Sequence, residues 1–82
     1  MDMLVHIGHR NYAMADKILV VLASEGSAVR RLRAEGKKKG CLIDATAGGR
    51  TRSVIVATSG QVILSGVQPE TLWKRMRAVV GG

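Results

Sequence analysis

Eighty-two residues allow a single folded domain, residues 1–82, with a limited share of its apolar surface hidden. One cysteine, Cys41, excludes an internal disulfide, and no Cys/His cluster is available for zinc. The formal net charge of +7 is large for this length; it opposes compaction and attracts polyanions, so DNA, RNA and anionic membrane are the candidate partners.

Hydrophobic residues make up 46% of the chain, yet Tyr12 and Trp73 are the only aromatics, so the core is aliphatic. No apolar run approaches the roughly 20 residues that span a bilayer, and no membrane partner is expected. Met1-Asp2-Met3-Leu4 lacks the basic stretch and apolar run of a signal peptide, so the expected location is the cytoplasm.

In chain order, Met3–Ile7 reads as a first strand and Gly8-His9-Arg10-Asn11 as a turn. Lys17–Ala23 is a β-branched and leucine run, a second strand. Ser24 is the expected N-cap of a helix reaching Lys39, with Glu25 in its first turn. Gly40 stops that helix, and Lys37, Lys38 and Lys39 suit the negative end of its dipole. Cys41–Thr46, Arg52–Thr58 and Gln61–Ser65 are three further strands. Ala47–Thr51 forms a loop between the first two of these, and Ser59-Gly60 a two-residue hairpin signal between the last two. Pro69 opens a closing helix with apolar positions at Leu72, Trp73, Met76, Val79 and Val80. The fold class is therefore α+β: a small sheet of about four to five strands with two helices, in the order β-β-α-β-β-β-α. The strand runs do not alternate apolar and polar residues, so both sheet faces need cover. Two short helices cover one face, and a second copy of the chain is the simplest cover for the other. A homo-oligomer follows.

The basic residues form three groups. Arg30, Arg31, Arg33, Lys37, Lys38 and Lys39 lie on the first helix, and Lys74, Arg75 and Arg77 on the last. Both groups read as charged solvated faces, although only Glu25 and Glu35 offer acidic partners on the first helix. The third group surrounds Gly48-Gly49, whose backbone can approach a ligand closely. Arg50 and Arg52 share parity across Thr51, and arginine binds phosphate bidentately. A basic loop without nearby carboxylates suits an anion, unless Asp44 pairs with one of the arginines. No catalytic constellation emerges: Ser53 and Ser65 have no evident base, Asp16 and Asp44 are isolated, and His6 and His9 lack further metal ligands. An enzyme, a cofactor and a small-molecule substrate are not expected.

Ile7-Gly8 with Asn11, Cys41-Leu42-Ile43-Asp44-Ala45-Thr46, Arg50-Thr51-Arg52, Val62-Ile63-Leu64-Ser65 and Val67-Gln68-Pro69-Glu70-Thr71 together resemble the RemA family of bacterial extracellular-matrix regulators. The resemblance runs through almost the whole chain in order. It implies a subunit that assembles into a ring and binds DNA as a transcriptional regulator of biofilm-matrix genes. It also implies a DNA-contacting loop after Thr46, here Gly48, Gly49, Arg50, Thr51 and Arg52, and a basic contact before the second strand, here Lys17. The chain departs from the family where Gly49 replaces an arginine and Ala47 a tyrosine; Arg10, in place of a glycine, restores a charge. The alternative is an oligomeric scaffold for protein or RNA. RNA stacking is disfavoured by having only Tyr12 and Trp73 as platforms.

Overall fold

The computed structural model describes residues 3–80. Met1, Asp2, Gly81 and Gly82, and with them the first half of the N-terminal stretch read above, lie outside the described residues, as does the side chain of Val80. The fold is α+β, with two helices and six strands in two sheets.

The first sheet is a hairpin of β1 (Leu4–Gly8) and β2 (Asn11–Met14), paired from Leu4↔Met14 to Gly8↔Asn11. Its strand β2 is one more than the sequence pattern indicates. The expected turn is there, but it is two residues long. His9 and Arg10 both take positive φ, 51° and 65°, as tight hairpins of matching twist demand. A short turn of 3-10 helix, Ala15–Lys17, leads from the hairpin to the second sheet.

That sheet has the order β3-β5-β6-β4. β3 (Ile18–Ala23) and β5 (Ser53–Ala57) are antiparallel, with Ile18↔Ala57 at one end and Ala23↔Ser53 at the other. β6 (Val62–Ser65) is antiparallel to β5 and parallel to β4 (Leu42–Asp44), which makes β3 and β4 the edges. The β5–β6 turn is closed by the Ala57 N–H on Gln61 O, so it holds one residue more than a two-residue turn.

Helix α1 (Ser27–Lys39) crosses between β3 and β4. It starts later than Ser24 suggests. Gly26 is the N-cap, at φ 117°, a value that L residues rarely adopt, and no side chain caps the helix. Glu25 therefore falls outside the first turn. The far end closes as expected: Gly40 is left-handed, and the Cys41 N–H reaches Gly36 O at 2.9 Å. Helix α2 (Pro69–Val80) opens on its proline.

The two helices lie on opposite faces of the four-stranded sheet, which corrects the expectation of one covered face. Along β5 and β6 the side chains alternate. Val54, Val62 and Leu64 pack with Val29 and Leu32 of α1. Ile55 and Ile63 pack with Leu72 and Met76 of α2 and with Val5 and Ile7 of β1. The apolar runs of β5 and β6 are covered on both sides within one chain. What stays exposed is apolar surface at the margins: Leu19 and Val20 on the β3 edge, Ile43 on the β4 edge, Leu4 on β1, Tyr12 and Met14 on β2, and Trp73 on α2.

Candidate nucleic-acid interface

The loop from Ala47 to Arg52 leaves β4 at a tight local turn. Strand β4 stops at Asp44 rather than Thr46, because Asp44 Oδ1 accepts from the Thr46 N–H at 2.9 Å and from its hydroxyl at 2.6 Å. These two bonds, with the nearby Arg33 guanidinium, hold the Asp44 carboxyl below its ordinary range against a smaller opposing effect of burial. Asp44 is thus engaged with Thr46, and the alternative in which it pairs with Arg50 or Arg52 is not seen among the described residues. Ala47 (φ 54°) and Gly48 (φ 82°) then carry the chain through the left-handed region, and the Gly49 N–H returns to Thr46 O at 2.9 Å.

Arg50 and Arg52 are exposed and Thr51 half-buried. Strand β5 begins only at Ser53, so the strand parity expected of Arg50 and Arg52 does not apply. The Arg52 N–H nevertheless extends the ladder to Ser65 O at 2.8 Å, which anchors the loop's end while leaving its side chain free to turn outward. Glu25 and Glu70 line a cleft of about 190 Å³ with Arg50, Thr51 and Arg52. The expectation of a loop without nearby carboxylates is corrected. Both acids lie far from the loop in sequence, one before α1 and one at the start of α2.

Two buried serines hold this end of the molecule. Ser53 and Ser65 face each other across β5 and β6, both fully buried. The Ser53 hydroxyl donates to Val67 O, and the Ser65 hydroxyl donates to Ile7 O, each at 2.8 Å. The Ser65 oxygen also accepts from the Val67 N–H at 3.1 Å. They bind β1 and the β6–α2 connection to the root of the loop. Reading the serines only as unsupported nucleophiles misses this role; the signal was their position at apolar strand ends.

The hairpin tip and the loop consequently meet. The Asn11 side-chain amide donates to Ala45 O at 3.4 Å. A Cβ at Gly66 would lie 3.5 Å from Arg50 O and 3.9 Å from His9 Nε2, so Gly66 sits between the two segments. Arg10, exposed at the tip, shares this end of the subunit with Gly48, Gly49, Arg50, Thr51 and Arg52. Its N–H bonds His6 Nε2 at 3.3 Å, while Arg75 Nη1 donates to His6 O at 2.7 Å.

Lys17 is not part of this group. It precedes β3 at the end where Ile18 pairs with Ala57, and its carbonyl accepts from the Thr58 N–H. The loop roots at the Ala23↔Ser53 end, about 20 Å away along a six-residue strand. Lys17 instead lines an apolar groove of about 650 Å³ with Tyr12, Met14 and Ile43. A second apolar groove, of about 660 Å³, runs between β3 and α2, past Leu19, Val20 and Trp73. Among the described residues no helix is long and apolar enough to cross a membrane.

A family model described as "Extracellular matrix regulatory protein A-like" matches residues 4–76. A relative from Cyanothece is 47% identical over 72 residues, covering 88% of this chain and 79% of that protein. One from Natranaerobius thermophilus is 45% identical over 73 residues, covering 89% and 82% respectively. A third, from Leptospira biflexa, is 43% identical over 72 residues, covering 88% and 77%. All three carry the name "Putative regulatory protein".

Proposed function

The chain belongs to the RemA-like family, and on that premise we propose that it is a cytoplasmic DNA-binding transcription regulator of extracellular-matrix genes, acting as a ring-like homo-oligomer. The observation that carries the reading is the convergence of two exposed basic tips, Arg10 of the hairpin and Arg50 with Arg52 of the loop, over Gly66. Flexible arginine forks on a buried, hydrogen-bonded base suit phosphate oxygens, and a glycine-bearing loop lets the backbone come close to them. Neither tip is a helix that could enter the major groove. The contact is with the DNA backbone, little dependent on sequence in any one subunit.

The two apolar grooves support the assembly. They share Ile18 but otherwise differ in lining, so a contact between one groove and the other is head-to-tail, and head-to-tail contacts close into rings when the rotation permits. Lys17, exposed at the margin of the first groove, is a DNA contact in this reading with its ammonium outside the subunit contact, about 20 Å from the loop within its own subunit. Engagement of Ser53 and Ser65 with backbone carbonyls supports a binding role over an enzymatic one.

The test is duplex binding titrated with salt, alongside mass in solution. The expected result is an oligomer whose affinity falls about a thousandfold or more between about 50 and 200 mM salt once six or more phosphates are engaged. A folded monomer at micromolar concentration overturns the assembly. A flat salt response overturns the phosphate interface and leaves a scaffold for protein or RNA.

A further inference from the structure

Helix α1 carries Arg30, Arg31, Arg33, Lys37, Lys38 and Lys39 against a single acid, Glu35. With Val29 pointing into the core, the helical period sets Leu32 and Gly36 beside it, as their burial shows. Around one flank then come Arg33, Lys37, Arg30, Ala34, Lys38 and Arg31, in an arc of about 160°. Glu35 borders the arc, about 40° beyond Arg31 and one turn from it, with Ala28 and Lys39 further round. Arg33 is half-buried and lines a cleft with Asp44; Arg30, Arg31, Lys37 and Lys38 are exposed. The pairs Arg30–Lys37 and Arg31–Lys38 are each two turns apart, about 10.5 Å along the axis.

Ordinary helix electrostatics accounts for the lysines at the C-terminal end, where the dipole favours cations. It does not account for Arg30 and Arg31. They stand near a positive helix start that has neither an acidic residue in its first turn nor a side-chain cap. Nothing within the helix calls for cations at these two positions, and the exposed arc is available to a partner. A second copy of α1 is repelled by like charge. An anionic membrane surface needs an apolar flank to insert, whereas Val29 and Leu32 are committed to the sheet and the arc offers only Ala34. A rigid row of cations about 12 Å long from Arg30 to Lys38 fits a regular polyanion, matching about three to four base pairs of duplex.

We propose that this flank of α1 is a second duplex-phosphate surface, separate from the Ala47–Arg52 loop and indifferent to base sequence. The inference rests on DNA being the partner, but not on the loop being the site.

The experiment compares the parent with Arg30→Gln/Arg31→Gln/Lys37→Gln/Lys38→Gln, with Arg50→Ala/Arg52→Ala, and with both sets combined. Each binds a short mixed-sequence duplex across a range of salt. Glutamine keeps helix propensity, and circular dichroism and solution mass check the fold. The fourfold variant is expected to lose about 0.9 from the salt slope for each phosphate contact removed, and to bind about tenfold or more weakly at low salt. Arg30→Lys/Arg31→Lys keeps the charge and is expected to keep the slope. The combined variant is expected to lose the binding that Arg50→Ala/Arg52→Ala retains. A fourfold variant with the parental slope overturns the proposal, as does a parent that binds anionic vesicles but not duplex. Should the fourfold variant lose its mass, Arg31→Gln/Lys38→Gln carries the same test at two exposed positions. Failure of the loop reading looks different: Arg50→Ala/Arg52→Ala then binds like the parent while the α1 variant does not.

Discussion

The basic loop and the basic flank of α1 hold their arginines by opposite means. On α1 a regular backbone repeats the charge, and apart from half-buried Arg33 each basic side chain of the flank stands exposed to solvent. At the loop the charges ride on irregular backbone. Two positive-φ residues, an Asp44–Thr46 turn and two buried serines place them. Changes in α1 therefore separate binding from folding cleanly. At the loop only the arginine side chains do so, and every residue beneath them couples the site to stability.

Ser65→Ala should show that coupling at its largest. The hydroxyl is fully buried and serves both Ile7 O and the Val67 N–H, so two backbone groups lose their partner. Unsatisfied buried groups cost about 1–3 kcal/mol, which lowers the midpoint of thermal unfolding by roughly 10 °C in a domain of this size. DNA affinity should drop as well, measured well below that midpoint, because β1 and the hairpin tip lose their register against the loop. A stable variant that binds weakly would remove the link between stability and site, leaving the serine as a purely local determinant.

Arg50→Ala tests the opposite corner of the comparison. The side chain is exposed, so stability should move by less than about 0.5 kcal/mol and solution mass should be unchanged. Binding should weaken for all sequences alike, with the salt slope reduced by about one unit for each subunit touching the duplex. Parental binding with intact mass would exclude Arg50 as a contact, and a collapse of mass would make it structural, with Glu25 or Glu70 in its cleft as the partner.

Glycine at the loop separates strain from space. A Cβ at Gly48 meets nothing within 4 Å, yet φ is +82°, so Gly48→Ala should cost about 1 kcal/mol through the backbone alone, measured by denaturant unfolding. Gly49 does not take a positive φ, but a Cβ there lies 3.1 Å from Thr46 O. Gly49→Arg, which adds the cation that this loop lacks relative to the family pattern, should tighten duplex binding while the turn gives by a few tenths of an ångström.

What the sequence displayed and what it hid follow the same division. Regular elements with strong local signals were legible: the β-branched runs of β3, β5 and β6, the Gly40 stop and the Pro69 start. Strand β2 was not, because Asn11-Tyr12-Ala13-Met14 lacks β-branched residues, and its turn uses His9-Arg10 where glycine is the usual signal. Ser24 was a sound N-cap by residue type, but Gly26 controls the chain direction through its φ. The side of the sheet each helix covers is a long-range fact, and so are the approach of Glu25 and Glu70 to the loop and the separation of Lys17 from Arg50. Single-sequence periodicity carries none of these. The loop was legible because its glycines and arginines are adjacent; besides the local Asp44–Thr46 turn, what anchors it comes from Ile7, Ser65 and Val67, far off in sequence.

The smallest expected effect concerns the turn that launches the loop, and it appears only in acid. Asp44 accepts two hydrogen bonds from Thr46 and feels Arg33, so its carboxyl titrates lower in the folded chain than the ordinary 3.8. A group lowered by folding contributes stability that is fully present above its unfolded value and is lost as pH falls through its folded value. The parent should therefore hold its urea midpoint from neutral pH to about pH 5 and lose part of it below about pH 4. Asp44→Asn keeps an oxygen that can accept from the Thr46 N–H and hydroxyl, but carries no charge to titrate. At neutral pH the variant should be slightly less stable, having given up the charge-assisted bonds and the attraction to Arg33. Below pH 4 the gap should close, since the parent's carboxyl is then becoming neutral too. Urea midpoints of both proteins at pH 7, 5 and 3 decide the matter. A gap that stays constant across the three would show that the Asp44 charge has no part in holding the turn, and that the loop is launched by Ala47 and Gly48 alone.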